Sequence, residues 1–264
     1  MTEPRFHPRV LENFSGAAHM YDRHALFQNY AAGQLLEWIR SESLSSFPQW
    51  KPCRIFEAGC GTGFLSVPLA ETFPEAELTV TDLSSGMLGM VRSKLLSRSG
   101  VEFCVYDFNG SFPESTGRYD LLVSAMALQW AASLPDVLSR FRTMLRGEGR
   151  LFFSVPLEGT FREMRKIFEQ EGIPYPGLSL PDPDELYETL LGIFGEAGQV
   201  FLKRDSYEET FSSVADFWKT LRNTGTGNAS GRPVPLPHLR HLLRKHGGKI
   251  RVNYEYALVK CSNY

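Results

Sequence analysis

Apolar positions recur along this chain in two rhythms. Between Phe14 and Arg40, Tyr21, Ala25, Leu26, Ala32, Leu35, Leu36 and Ile39 fall at helical intervals, which predicts a helix. A Ser/Pro-rich break runs from Ser43 to Pro52. Apolar runs of strand length then begin: Arg54-Ile55-Phe56, Glu77 to Asp82, Val101 to Tyr106, Tyr119 to Ser124 and Leu151 to Val155. Helical segments separate them at about Phe64–Phe73, stopped by Pro74, and at Ser84–Leu96 and Leu134–Leu145. Gly147-Glu148-Gly149 reads as a turn. Strands alternating with helices of this length predict a doubly wound α/β fold, a mostly parallel seven-stranded sheet with helices on both faces.

Beyond Pro156 the rhythm changes. Thr160–Glu171 and Asp184–Glu196 predict helices on either side of the proline-rich Pro174–Pro183 loop, and Gln199–Phe211 and Ile250–Cys261 predict strands. Ser213–Arg222 and Leu236–His246 fill the space between those strands. One domain over 1–264 is expected, with N-terminal helices in 1–50 and a ligand-binding half in 51–156. Helical cap insertions at 157–198 and 212–248 would surround the last strands.

Composition narrows the function classes. The 264 residues carry Lys+Arg 28 against Asp+Glu 30, a net charge of -2, with 42% hydrophobic residues. That balance argues against disorder, a coiled coil and a globally basic nucleic-acid binder. No apolar run is long enough to span a membrane, and Met1 to Val10 lacks the apolar core of a secretory signal. Cys53, Cys60, Cys104 and Cys261 fit neither a zinc ribbon nor a redox pair. A reduced, cytoplasmic protein that holds no metal is expected.

Chemistry gathers where the first predicted strand ends, at Glu57-Ala58-Gly59-Cys60-Gly61-Thr62-Gly63. A strand, a Gly-x-Gly-x-Gly turn and a helix bring backbone close to a ligand. The nicotinamide fingerprint needs its third glycine at position 64, where this chain has Phe64. Glu57 would repel a pyrophosphate but attract a ligand bearing an ammonium and a sulfonium. Asp82 ends the next strand, 23 residues after Gly59, where an acid can hold ribose hydroxyls. Asp107 ends the third and can accept a bond from an adenine amino group. Three acids at three consecutive strand ends point at one crevice.

This pattern resembles the class I S-adenosyl-L-methionine-dependent methyltransferases. The resemblance implies Glu57 at the methionine ammonium, Gly59, Gly61 and Gly63 around methionine and ribose, Asp82 on the ribose, and Asp107-Phe108 at the adenine. It adds Tyr21, Cys60, Leu83, Met87, Ala125 and Gln129 to the cofactor set. Further segments narrow it: Phe14–Gln28, Ser124-Ala125-Met126-Ala127-Leu128-Gln129-Trp130, Leu157–Glu163, Leu180–Glu185, Leu221–Gly225 with Gly231-Arg232, and Tyr254–Val259. Across nearly the whole chain these look like the malonyl-acyl-carrier-protein O-methyltransferases of biotin synthesis, the BioC family. Gln129-Trp130 is also similar to carboxyl methyltransferases of the trans-aconitate type. The segment after Gly225, Thr226-Gly227-Asn228-Ala229-Ser230, departs from the family's usual residues.

The implied reaction esterifies the free carboxylate of a malonyl thioester on acyl carrier protein, leaving S-adenosyl-L-homocysteine (SAH) and opening pimeloyl and biotin synthesis. A carboxylate is already ionised at neutral pH, so no general base is required. His24 and Trp130 are expected beside the acceptor, and Arg222 and Arg232 are the candidates for its anion pocket. From Phe217 to Tyr254 there are eight basic residues and no acid, while the rest of the chain holds 20 basic against 30 acidic. Such a block suits docking of an acidic carrier; it also reads as a solvated face, or as a nucleic-acid patch short of interleaved aromatics. Other functions remain open: methylation of a free small acid, a non-catalytic cofactor-binding scaffold, and a nicotinamide oxidoreductase, disfavoured by Phe64 and Glu57.

Overall fold

Side chains alternate along each strand, and this sorts the apolar residues into two layers. The computed structural model describes residues 20–45, 50–110, 119–195, 198–226 and 234–263. Its strands are β1 (Arg54–Ala58), β2 (Glu77–Asp82), β3 (Val101–Val105), β4 (Tyr119–Ala125), β5 (Leu145–Pro156), β6 (Gly198–Phe211) and β7 (Ile250–Asn263). Ile55, Leu78, Val80, Leu121, Val123 and Phe152 pack on one face. Phe56, Ala58, Leu122, Leu151, Phe153 and Val155 pack on the other. Strands buried on both sides must be apolar throughout, which is why β1 and β4 read as continuous runs rather than alternations.

The strands form one seven-stranded sheet in the order β3-β2-β1-β4-β5-β7-β6. All pairings among β1 to β5 are parallel, and β7 runs antiparallel to both neighbours. This is the expected doubly wound α/β sheet. Because β2 and β4 leave β1 on opposite sides, their connections part at its carboxyl end and open a crevice there.

Helices α1 (Leu26–Ser45), α2 (Ser66–Thr72) and α3 (Ser85–Lys94) cover the first face with Leu35, Ile39, Leu69 and Val91. Helices α4 (Leu134–Met144) and α6 (Pro183–Phe194) cover the second with Val137, Phe141, Leu190 and Phe194. A third cluster forms the cap. There α5 (Arg162–Gln170), α7 (Val214–Asn223) and α8 (Leu236–Lys245) bury Met164, Phe168, Phe217, Leu221 and Leu242 against Phe211 and Val252. Side-chain caps set several helix starts: Ser84, Ser133, Asp182 and Ser213 accept first-turn amides of α3, α4, α6 and α7.

Two elements differ from their sequence patterns. The N-terminal helix breaks at Ala25, after a helical turn at 20–24, and continues to Ser45 into the expected Ser/Pro break. Gly147-Glu148-Gly149 lies within β5 instead of ahead of it. The β4–β5 register moves from Tyr119↔Leu145 to Leu121↔Arg150, so these residues form an irregularity that paired backbone flanks. A Cβ at Gly149 would lie 3.0 Å from Arg146 backbone and the Tyr119 carbonyl, which explains a glycine there. No helix among the described residues is long and apolar enough to cross a membrane.

Candidate active site

After Ala58 the chain must reverse before α2 can start, and three glycines with positive φ allow it: Gly59 (74°), Gly61 (53°) and Gly63 (97°). Gly59 and Cys60 both donate to the Thr81 carbonyl at 2.9 Å, which straps the loop to β2. A Cβ on Gly59 would lie 2.4 Å from Ala127 Cβ, so only glycine lets the loop press on the turn after β4. Gly61 has open space where its Cβ would be, and its N–H donates to Asp82 Oδ2 at 2.9 Å. The Ser84 N–H donates to Asp82 Oδ1 at 2.8 Å. Asp82 is thereby aimed by two backbone amides, each oxygen keeping a lone pair for a ligand.

The cleft beside this loop encloses about 910 Å³ including its mouth, a size typical of small-ligand sites. Its charged lining residues are Glu57, Asp82 and Asp107, with no basic side chain among the described residues. Glu57 is 1% exposed, and its Oε2 has no hydrogen-bond partner among the described residues. Burial pushes its carboxyl up to about 7; the Ser66 hydroxyl pulls it down, short of hydrogen-bond geometry, and Asp82 adds to the rise. Burial also raises Asp82, against the lowering effect of the amides of Ser84, Gly61 and Leu83. An orphaned buried carboxyl oxygen in an acidic cleft calls for a cationic donor.

Neighbouring elements hold the cleft's walls. Lys94 donates to the Thr62 carbonyl at 2.8 Å and pairs with Asp22 at 3.0 Å, binding the 20–24 turn to the glycine loop. Tyr21 then lies against Phe64, ring centroids 6.1 Å apart. Opposite, Asp107 Oδ1 accepts from the Asn109 amide at 2.8 Å, and Asn109 bridges to the Trp130 carbonyl and the Ala132 amide. Arg140 donates to the carbonyls of Phe108 and Gly110, fixing the β3 loop.

A second chamber of about 870 Å³ adjoins the first, and both are lined by Gln28, Met126 and Trp130. Its walls include the aromatic side chains of Phe27, Phe161, Tyr175, Trp218 and Tyr254. Arg165 supplies its one permanent charge among the described residues. Met126 (φ 50°) and Phe161 (φ 61°) line this chamber and are the two non-glycine residues with positive φ among those described. Strain of this kind gathers at functional sites. Two buried atoms here lack hydrogen-bond partners, the acceptor Gln129 Oε1 and the donor Trp218 Nε1. His24 Nε2 meets Asn223 Nδ2 at 2.9 Å and closes the chamber between the N-terminal turn and α7.

Comparison with known proteins agrees with this architecture. Residues 55–149 match the family described as a methyltransferase domain. The chain is 35% identical over 243 residues to the malonyl-[acyl-carrier protein] O-methyltransferase of Magnetococcus marinus, across 91% of this chain and 86% of that one. It is 28% identical over 254 residues to the protein of that name from Acetivibrio thermocellus, again across 91% and 86%. The chain belongs to the malonyl-[acyl-carrier protein] O-methyltransferase family. Among solved structures, it is similar in fold to magnesium protoporphyrin IX methyltransferase from Synechocystis PCC 6803 with bound SAH. The TM-score is 0.54 at 15% identity, over 89% of this chain and 83% of that one.

Within this family member, Tyr21, Glu57, Gly59, Cys60, Gly61, Asp82, Leu83, Met87, Asp107, Phe108 and Ala125 line the first chamber together. Gly63 does not; its Cβ would meet Val91 at 3.2 Å, so it serves packing against α3. Gln129 lines the second chamber instead, its Nε2 donating to the Met126 carbonyl at 2.7 Å. His24 and Trp130 line the second chamber, and Trp130 lines the first as well. Arg222 is exposed and lines neither chamber, because α7 turns Thr220 and Leu221 inward, with Thr224 just beyond its end. Arg232 lies outside the described residues. Sequence reasoning missed Gln28, although it ends the family-like Phe14–Gln28 segment, and Asn109, Lys94 and Arg165, which lie in none of the family-like segments; Asn109 and Lys94 act through contacts distant in sequence.

Proposed function

We propose that this chain transfers the methyl group of S-adenosyl-L-methionine to the free carboxylate of a malonyl thioester on acyl carrier protein. The observation that carries this reading is the meeting of two chambers of opposite charge at Gln28, Met126 and Trp130. Three acids suit a sulfonium and an ammonium; a cationic chamber without acids among the described residues suits a carboxylate. When bound, the donor supplies an electrophilic methyl on positive sulfur. Glu57 receives its ammonium, Asp82 its ribose hydroxyls, and Asp107 with Phe108 its adenine. In the transfer a carboxylate oxygen bonds to the methyl carbon, the carbon–sulfur pair leaves with sulfur, and no proton moves. The protein's work is therefore alignment and exclusion of water by the aromatic walls.

Carrier docking falls to the basic segment 217–254. Lys245 pairs with Glu171 at 2.7 Å and Arg251 with Glu208 at 3.2 Å. Lys219, Arg222, Arg240, Arg244 and Lys249 are exposed and have no ion pair among the described residues. They offer an open basic face to an acidic carrier. The cytoplasm is our proposed compartment for the reaction, and the four free cysteines are compatible with a reducing environment.

Methyl transfer measured to malonyl-carrier protein and to free small acids at equal concentration tests this reading. Carrier turnover should dominate and weaken steeply with added salt. Equal or better turnover of free acids would favour the trans-aconitate type of reaction.

A further inference from the structure

Among the described residues the second chamber carries one permanent positive charge, and the residue that provides it sits in no recognised motif. We infer that Arg165 is the specificity-determining residue for the acceptor, receiving the free carboxylate of the malonyl group. This rests on the proposed carboxyl methylation.

Arg165 projects from α5, which Met164 and Phe168 anchor in the cap core. Its guanidinium carbon lies 4.7 Å from the centre of the Tyr175 ring, which supports one face of the planar group. Its Nε donates to the Thr160 carbonyl at 3.4 Å and its Nη2 to the Leu178 carbonyl at 3.3 Å. Both bonds are long, and Nη1 makes none among the described residues. No acid pairs with Arg165 there either, unlike Arg162, which pairs with Glu255 at 2.7 Å. The side chain is thus oriented by ring and backbone while donors remain for a ligand.

A carboxylate leaving water for aromatic walls needs such a partner, and a guanidinium edge can take both oxygens at once. A thioester without a terminal charge would leave Arg165 half-buried and uncompensated, which penalises neutral acyl groups. The site therefore selects acceptors by repelling the wrong ones as much as by holding the right one. Arg222 cannot do this from its exposed position on α7.

The test compares malonyl-pantetheine with acetyl-pantetheine, which has the same arm but no carboxylate, binding to the full chain saturated with SAH. The unaltered protein should prefer malonyl by at least about tenfold. Arg165→Gln and Arg165→Met should bind the two within about twofold of each other, malonyl more weakly and acetyl more tightly than the unaltered protein binds them, with SAH affinity unchanged. SAH binding reports folding, and the second neutral variant decides if the first fails to fold. Arg165→Lys, keeping charge without the planar fork, should recover part of the preference. Neutral variants that keep the full preference overturn the Arg165 assignment and leave carboxyl methylation standing. If the unaltered protein itself shows no preference for malonyl, carboxyl methylation falls, and the Arg165 assignment with it.

Discussion

Glu57 carries an unusual burden for a single carboxyl, being 1% exposed with an oxygen that no group among the described residues satisfies. Its pKa of about 7 leaves it partly protonated at neutral pH in the ligand-free protein. An ammonium favours the ionised form, so donor affinity should rise as pH climbs toward about 7 and level off above it. Glu57→Gln should remove that dependence, as calorimetry across pH would show. The ligand-free fold has the opposite sign. What this carboxyl contributes to stability is complete below its ordinary value of 4.5 and is lost as pH rises through about 7. The melting temperature of Glu57→Gln should therefore gain on the unaltered protein as pH increases. Asp82→Ala removes the acceptor of the Gly61 and Ser84 amides as well as a ligand contact. It should weaken SAH binding by about 1–3 kcal/mol; unchanged affinity would count against the ribose assignment.

Among the elements, the turn after β1 is the least tolerant of change. Gly59→Ala forces a Cβ to within 2.4 Å of Ala127 at a positive φ, so thermal unfolding should report a loss of about 1–3 kcal/mol. On α8, Arg240→Glu with Arg244→Glu should raise KM for malonyl-carrier protein about tenfold at low salt and leave malonyl-pantetheine unaffected. The strands, the helix order and the acids at the strand ends were legible in the sequence because local pattern decides them. Apolar runs set β1 to β5, and Ser or Asp caps mark several helix starts. Arg165 was not legible. In Arg162-Glu163-Met164-Arg165-Lys166 it looks like any charge on a surface helix, and only docking of α5 against β7 turns it toward the chamber. Arg222 was legible as a basic residue in a family-like segment, but its helical phase points it to solvent. Gly147–Gly149 misled for a related reason, since partner strands, not turn chemistry, determine where β5 begins.

At the scale of the molecule, the sheet topology accounts for the chemistry. Divergence of β2 and β4 from β1 opens an acidic cleft, and the cap built on β6 and β7 closes a cationic, aromatic chamber beside it. In the proposed reaction neither half requires a proton-transferring residue; each supplies a charge environment, and their junction at Met126 and Trp130 is where donor and acceptor would meet. One structure of the protein with SAH and malonyl-pantetheine bound together tests this most directly. The account predicts the nucleoside between Asp82 and Asp107, the sulfur facing the Met126–Trp130 junction, and the malonyl carboxylate on the Arg165 side of that junction. A carboxylate held elsewhere, or an acceptor arm that never enters the aromatic chamber, would contradict it.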